Sequence, residues 1–244
     1  MNKTVDVLGV SISKVTMEEA TKKVREFVKS DRLHSIYTPN PEIVMLAKKD
    51  EAFHQILEEA DLVVPDGIGV VIASKIKKTP LPERVAGYDL VQNTMKEAVK
   101  EGYKYYFFGS KPGISEEAAK KMRETYPGIE IVGTHNGYFK PEDEQDIIAD
   151  INASGANILL VALGAPKQEK WIEQYKHQMP NVRVAIGVGG SLDVMSGNVK
   201  RAPKVFQKLG LEWFYRLLKE PTRIKRMMVL PEFLLKVVFY REHN

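Results

Sequence analysis

The 244 residues suffice for one large domain, or for one domain with an appendage, and a composition of 43% hydrophobic and 28% charged residues excludes a disordered chain. The absence of cysteine excludes disulfides and thiolate metal sites and fits a reducing compartment. The net charge of +4 is unevenly placed: residues 196–244 carry +7 and residues 1–195 carry −3, so the last fifth is a basic segment suited to a polyanion such as a membrane surface, a nucleic acid or phosphates.

In chain order, the opening "MNKTVDVLGVSIS" lacks the long apolar core of a leader peptide and reads as a strand or hairpin. "TMEEATKKVREFVKSD" begins with Thr16 and Glu19 in capping-box spacing, and Ala20, Val24, Phe27 and Val28 give it one apolar helical face. "HSIYTPN" is a short strand entering a turn. "PEIVMLAKKD" and "EAFHQILEEA" follow as helices, the first with prolines around its start. "DLVVPD" is a buried strand with a carboxylate at its mouth, and a helix is expected from about Gly67. "YDLVQNTMKEAVKEG" is a helix ended by Gly102. Beyond it, "YKYYFFGS", "IEIVGTHNGYF", "ANILLVALGAP" and "VRVAIGVGGSLD" read as strands. They alternate with the helices "PGISEEAAKKMRETYPG", "PEDEQDIIADINASG" and "KQEKWIEQYKHQ". This alternation predicts an α/β fold with a mostly parallel sheet.

The rhythm stops near residue 196. The remainder reads as two or three helices broken at Pro221 and Pro231, in which Trp213, Phe214, Leu217 and Leu218 lie beside Arg216 and Lys219. Two readings stand for it. One is a helix pair packed on the core; the other is a membrane-surface helix with aromatic residues at the interface and basic residues toward anionic headgroups. No run of about 18 apolar residues occurs, so no membrane-crossing helix is expected.

In open α/β sheets, ligands sit beyond the carboxyl ends of the strands. Those ends read "YTPNPE", "VVPDGIG", "FFGSKPG", "THNGYF", "ALGAPKQE" and "GVGGSLD". Small and polar residues accumulate there, and Ser110, Gly189, Gly190 and Ser191 suit a diphosphate or nucleotide. "GVGGSLD" departs from GxGxxG at Leu192, and no GxxxxGK motif is present, which disfavours hydride transfer on a dinucleotide. No Asp-x-Asp pair occurs, and the five histidines lack metal-ligand spacing, so no metal and no cofactor are expected. Asp66 has two readings. It is either the N-cap of the following helix or a general base at the ligand rim, near Thr38, Asn40 and Arg84.

Together, "TPNPEIV", "VVPDGIGV", "ERVAGYDL", "FFGSKPG", "NGYF", "LGAPKQEKW", "GVGGSLDVMSG", "KRAP" and "GLEWFYRLLKEPTR" occur in an order that resembles the WecG/TagA/CpsF glycosyltransferases, over residues 5 to about 226. The resemblance implies a Rossmann-like sheet flanked by helices at residues 1–195, with a basic amphipathic helical appendage at 196–244. It implies metal-independent, inverting transfer from a UDP-sugar to a lipid-linked acceptor at the inner membrane face. In the branch most alike, N-acetylmannosamine passes from UDP-ManNAc to the 4-hydroxyl of GlcNAc on undecaprenyl diphosphate, making the linkage unit of wall teichoic acid. Donors in other branches are UDP-glucose and UDP-ManNAc-uronate, and a non-catalytic binding protein is a further alternative.

On this resemblance Asp66 is the catalytic base, with Asp193 the other candidate. Thr38 and Asn40 orient a sugar, Arg84 meets the leaving diphosphate, and Gln168 holds the donor. Gly109, Ser110, Gly137, Tyr138, Gly189, Gly190 and Asp193 line a UDP pocket. Arg216, Arg223 and Arg226, spaced by seven and three, meet the acceptor diphosphate or anionic headgroups. Nucleic acid is not an expected partner, since the body is slightly acidic and carries no recognised motif. Apolar tail faces leave self-association in solution open.

Overall fold

A computed structural model describes residues 4–219, 224 and 228–239. The chain opens with an antiparallel hairpin, β1 (Thr4–Val7) and β2 (Val10–Ser13), closed by Leu8 and Gly9, both at positive φ. That two-residue turn matches the right-handed twist of the strands. Helix α1 (Met17–Val28) starts with the predicted capping box: the Thr16 hydroxyl accepts from Glu19 N at 3.2 Å, and the Glu19 carboxylate accepts from Thr16 N at 2.7 Å.

The main sheet has six strands, all parallel: β3 (His34–Tyr37), β4 (Leu62–Val63), β5 (Lys104–Gly109), β6 (Glu130–His135), β7 (Ile158–Ala162) and β8 (Val184–Gly187). Their spatial order is β4-β3-β8-β7-β5-β6. The connecting helices are α2 (Pro41–Ala47), α3 (Glu51–Glu58), α4 (Ile68–Ile76), α5 (Gly87–Glu101), α6 (Ile114–Thr125), α7 (Glu144–Ser154) and α8 (Lys167–Tyr175). Gly102 ends α5 in the left-handed conformation, as its sequence position predicts.

Alternate residues of each strand enter two cores, one on each face of the sheet. Tyr106, Phe108, Leu159 and Val161 face one side with the β1–β2 hairpin, α2, α3, α7 and α8. Tyr105, Phe107, Ile158 and Leu160 face the other side with α1, α5 and α6. The α/β reading of the sequence therefore holds.

After β8 come α9 (Ser191–Met195), α10 (Lys204–Lys208), α11 (Glu212–Lys219) and α12 (Val229–Phe239). Pro231 does not break a helix, contrary to expectation. It sits in the first turn of α12, where a missing N–H leaves no intrahelical bond unmade. Phe233 and Val237 of α12 are fully buried in the first core, while Leu235, Val238 and Phe239 are exposed. Pro221 and the site candidates Arg223 and Arg226 lie outside the described residues. Among the described residues, no helix is long and apolar enough to cross a membrane.

Candidate active site

The carboxyl ends of β3, β4 and β8 open into one cleft of about 250 Å³. Asn40 ends the β3 turn as the N-cap of α2, its side-chain oxygen accepting from Ile43 N at 3.0 Å. Beside it, β4 stops at Pro65 and presents Asp66. The sequence alternative that made Asp66 a helix N-cap is corrected: Gly67 takes that position, with no side-chain cap. The Asp66 carboxylate instead accepts from Gly87 N at 3.3 Å, at the start of α5. Its peptide carbonyl accepts from Arg84 Nε at 2.5 Å, and Arg84 Nη2 stands 3.6 Å from carboxylate Oδ1.

Two glycines make this convergence sterically possible. A Cβ on Gly69 would lie 2.5 Å from Pro41 Cγ, so α4 begins hard against the start of α2. A Cβ on Gly87 would lie 2.7 Å from Thr38 Cγ2, so α5 begins hard against the end of β3. Thr38, Asn40, Asp66 and Arg84 are thereby gathered on one wall, as the sequence reading grouped them.

A second wall, adjoining the first, is the turn after β8. Thr38 Oγ1 donates to the Gly187 carbonyl at 3.3 Å. Gln168 accepts from Gly189 N at 3.0 Å and donates through its side-chain nitrogen to Glu169 at 2.8 Å. Its amide thus fixes the glycine turn as well as lining the cleft with Gly189 and Gly190. Glu169 is 1% exposed, and one of its carboxylate oxygens has no hydrogen-bond partner. Burial pushes its carboxyl above the usual carboxylate range.

The third wall comes from the segment after β8. Glu212, the first residue of α11, bridges two guanidiniums: Arg84 Nη2 at 2.6 Å and Arg201 Nε at 3.1 Å. Arg201 also makes a bidentate pair with Asp89, at 2.5 and 2.7 Å, and lies over the Tyr88 ring at 4.7 Å. Burial alone would raise the Glu212 carboxyl, but the hydrogen bonds and charges of Arg84 and Arg201 outweigh it and hold the group below the usual range.

The remaining candidates form a second group beyond the cleft lining. Gly109, Ser110 and Gly137 meet where β5, β6 and β7 end, with Gly137 N donating to the Ser110 carbonyl at 2.8 Å. Ser110 has φ 59° and donates through its hydroxyl to Asp193 at 3.1 Å. Tyr138 is 68% exposed beside them. Helix α9 joins the groups, since Ser191 and Val194 line the cleft while Asp193 faces Ser110. Asp66 and Asp193, the two candidate bases, are therefore placed in different surroundings. Arg216 lies on α11, one turn past Glu212. Among the described residues, no cluster of three or more His, Asp or Glu is placed to hold a metal ion.

Sequence reasoning missed Glu169, Arg201 and Glu212. The last two lie within the strings "KRAP" and "GLEWF", but their pairing spans 112 residues to Asp89 and 128 to Arg84, a separation that no local pattern encodes.

The protein-family model described as "Glycosyl transferase WecG/TagA/CpsF family" matches residues 5–244. A protein of Bacillus spizizenii is 42% identical over 203 residues, covering 83% of this chain and 78% of its own length. One of Bacillus subtilis strain 168 is 40% identical over the same shares. One of Staphylococcus aureus strain MRSA252 is 35% identical over 235 residues, covering 96% of this chain and 91% of its own. All three are named N-acetylglucosaminyldiphosphoundecaprenol N-acetyl-beta-D-mannosaminyltransferase.

Proposed function

Because this chain belongs to the WecG/TagA/CpsF glycosyl transferase family, we propose that it transfers N-acetylmannosamine from UDP-ManNAc to the 4-hydroxyl of GlcNAc on undecaprenyl diphosphate. The product is the β-1,4 disaccharide that begins wall teichoic acid. The observation that carries the proposal is Asp66, anchored at a strand end by Gly87 N and by Arg84, in a cleft shared with Thr38, Asn40 and Gln168.

In this reading Asp66 accepts the proton of the acceptor hydroxyl while that oxygen forms the new bond to the anomeric carbon. The bond from that carbon to the diphosphate oxygen breaks on the opposite face, so configuration inverts and UDP leaves with the electron pair. Such a base contributes about 10²- to 10⁴-fold in rate. Arg84 supplies cationic hydrogen bonding to the departing diphosphate, and no metal ion is invoked. Thr38 and Asn40 orient the sugars. The Ser110–Gly137 group and Asp193 extend the donor site past α9. The α/β body at 1–195 supplies the base, and 196–244 completes the cleft and brings it to the membrane. Leu235, Val238 and Phe239, exposed on α12, support a peripheral seat on the inner face.

The test is UDP release from UDP-ManNAc, with and without the lipid-diphosphate GlcNAc acceptor, for the unmodified enzyme and Asp66→Asn. Acceptor-dependent release that falls at least 10²-fold in the variant is expected. Full release by the variant would move the base elsewhere, with Asp193 first. No release by either form would refute the donor, and UDP-glucose and UDP-ManNAc-uronate would then be tried.

A further inference from the structure

Among the described residues, the charges lining the cleft do not suit an anionic ligand as they stand. Two guanidiniums, Arg84 and Arg201, share the lining with three carboxylates, Glu42, Asp66 and Glu212. Arg201 is already committed on two sides. Its two terminal nitrogens pair with Asp89 and its Nε with Glu212, so an incoming anion reaches the Nε side of this guanidinium by taking the place of Glu212. Arg84 turns toward the same carboxylate: Nε donates to the Asp66 carbonyl and Nη2 to Glu212. The carboxylate of Glu212 thus sits where two guanidiniums converge, the arrangement that one phosphate group would satisfy by bridging them.

We propose that Glu212 is an internal counter-ion, seated in an anion site between Arg84 and Arg201, and that a diphosphate group enters the cleft by taking its place. The inference rests on the sugar-nucleotide reading only for the class of ligand. Protonation does not vacate the site, because the two guanidiniums hold Glu212 ionised. Exchange of one anion for another does. Glu212 is the first residue of α11 and Trp213 beside it also lines the cleft, so the exchange displaces the start of that helix. Ligand entry and the position of the C-terminal helices become one equilibrium.

The experiment is calorimetric titration of the full chain at fixed salt with UDP, uridine and inorganic diphosphate. It compares the unmodified protein, Glu212→Gln and Asp89→Asn. Removing the competing carboxylate should tighten UDP and inorganic diphosphate about tenfold or more, and leave uridine within about twofold, because uridine brings no anion to exchange. Asp89→Asn removes the same charge from the outer side of Arg201 and should give a smaller gain. Where the unmodified protein binds UDP, equal or weaker UDP binding by Glu212→Gln overturns the proposal, the weaker result marking Glu212 as an anchor for α11 alone. A gain for inorganic diphosphate with no UDP binding in any form upholds the counter-ion and refutes the nucleotide donor instead. A second measurement needs no variant. Saturating diphosphate should shift the emission of Trp213 against the constant background of buried Trp171, uridine should not, and an unshifted spectrum overturns the proposal.

Discussion

Replacing Phe233 by alanine tests whether α12 is part of the body or an attachment to it. The ring is fully buried, in the same core as Val44, Val70 and Val237. Its Cε1 lies 3.8 Å from where a Cβ on Gly69 would be, at the start of α4 behind Asp66. Losing roughly 150 Å² of buried aromatic surface at about 25 cal/mol per Å² costs about 4 kcal/mol. The cavity left behind keeps the total within the range of about 3–5 kcal/mol measured for such truncations. In urea denaturation followed by far-ultraviolet circular dichroism, that loss lowers the midpoint by about 1 M or more. Phe239, on the same helix but 77% exposed, is the control. Phe239→Ala should leave the midpoint within about 0.2 M and instead weaken binding to anionic vesicles. An unchanged midpoint for Phe233→Ala would refute the reasoning, since α12 would then unfold apart from the sheet despite its buried ring.

Glu169→Gln should stabilise the protein increasingly as pH rises. Burial raises the Glu169 carboxyl, so the wild type loses stability as pH climbs from the unfolded-state value through the folded one, whereas glutamine carries no such cost. The difference in melting temperature between the two forms, measured from pH 4 to 8, should be near zero at the acid end and favour Gln at the alkaline end; the reverse trend would be decisive against burial as the cause. Gly87→Ala should reduce transfer about 10- to 100-fold, because the added methyl lies 2.7 Å from Thr38 Cγ2 and displaces a residue of the cleft wall. Adding Thr38→Ser, which removes that methyl and keeps the hydroxyl, should recover most of the loss; a double variant no better than the single one would place the damage in α5 rather than at Thr38.

Much of this was legible because it is local. Thr16 and Glu19 announce the start of α1, Gly102 the end of α5, and the apolar runs at 104–109 and 158–162 two central strands. The strand-end strings also placed Thr38, Asn40, Asp66 and Arg84 together, since a parallel sheet delivers successive strand ends to one rim. What escaped depends on long-range pairing. Asp66 stood between two readings, a helix cap and a rim carboxylate, and its bond to Gly87 N was visible in neither. Pro231 looked like a break, but whether a proline breaks a helix or opens it depends on which turn holds it. Nothing local marks Glu169 within its helix, and only the packing around α8 makes it a buried carboxyl. The candidates at the strand ends divided between the cleft and the Ser110–Gly137 group, a separation set by the strand order and invisible in the strings.

The strand order also bears on how the molecule comes into being. Strands β3 and β4 reach the rest of the sheet only through β8, whose pairing with β3 joins His34 to Val184. As the chain leaves the ribosome, β3 waits for some 150 residues of synthesis before β8 exists. The cleft waits longer still, for Glu212 and then for Val229 and Leu230. Such non-local closure slows folding, and it means that no shorter nascent chain has an assembled cleft. Competence arrives together with the segment that we propose seats the protein on the membrane, so a partly made chain has neither a finished site nor the means to reach a lipid-borne acceptor.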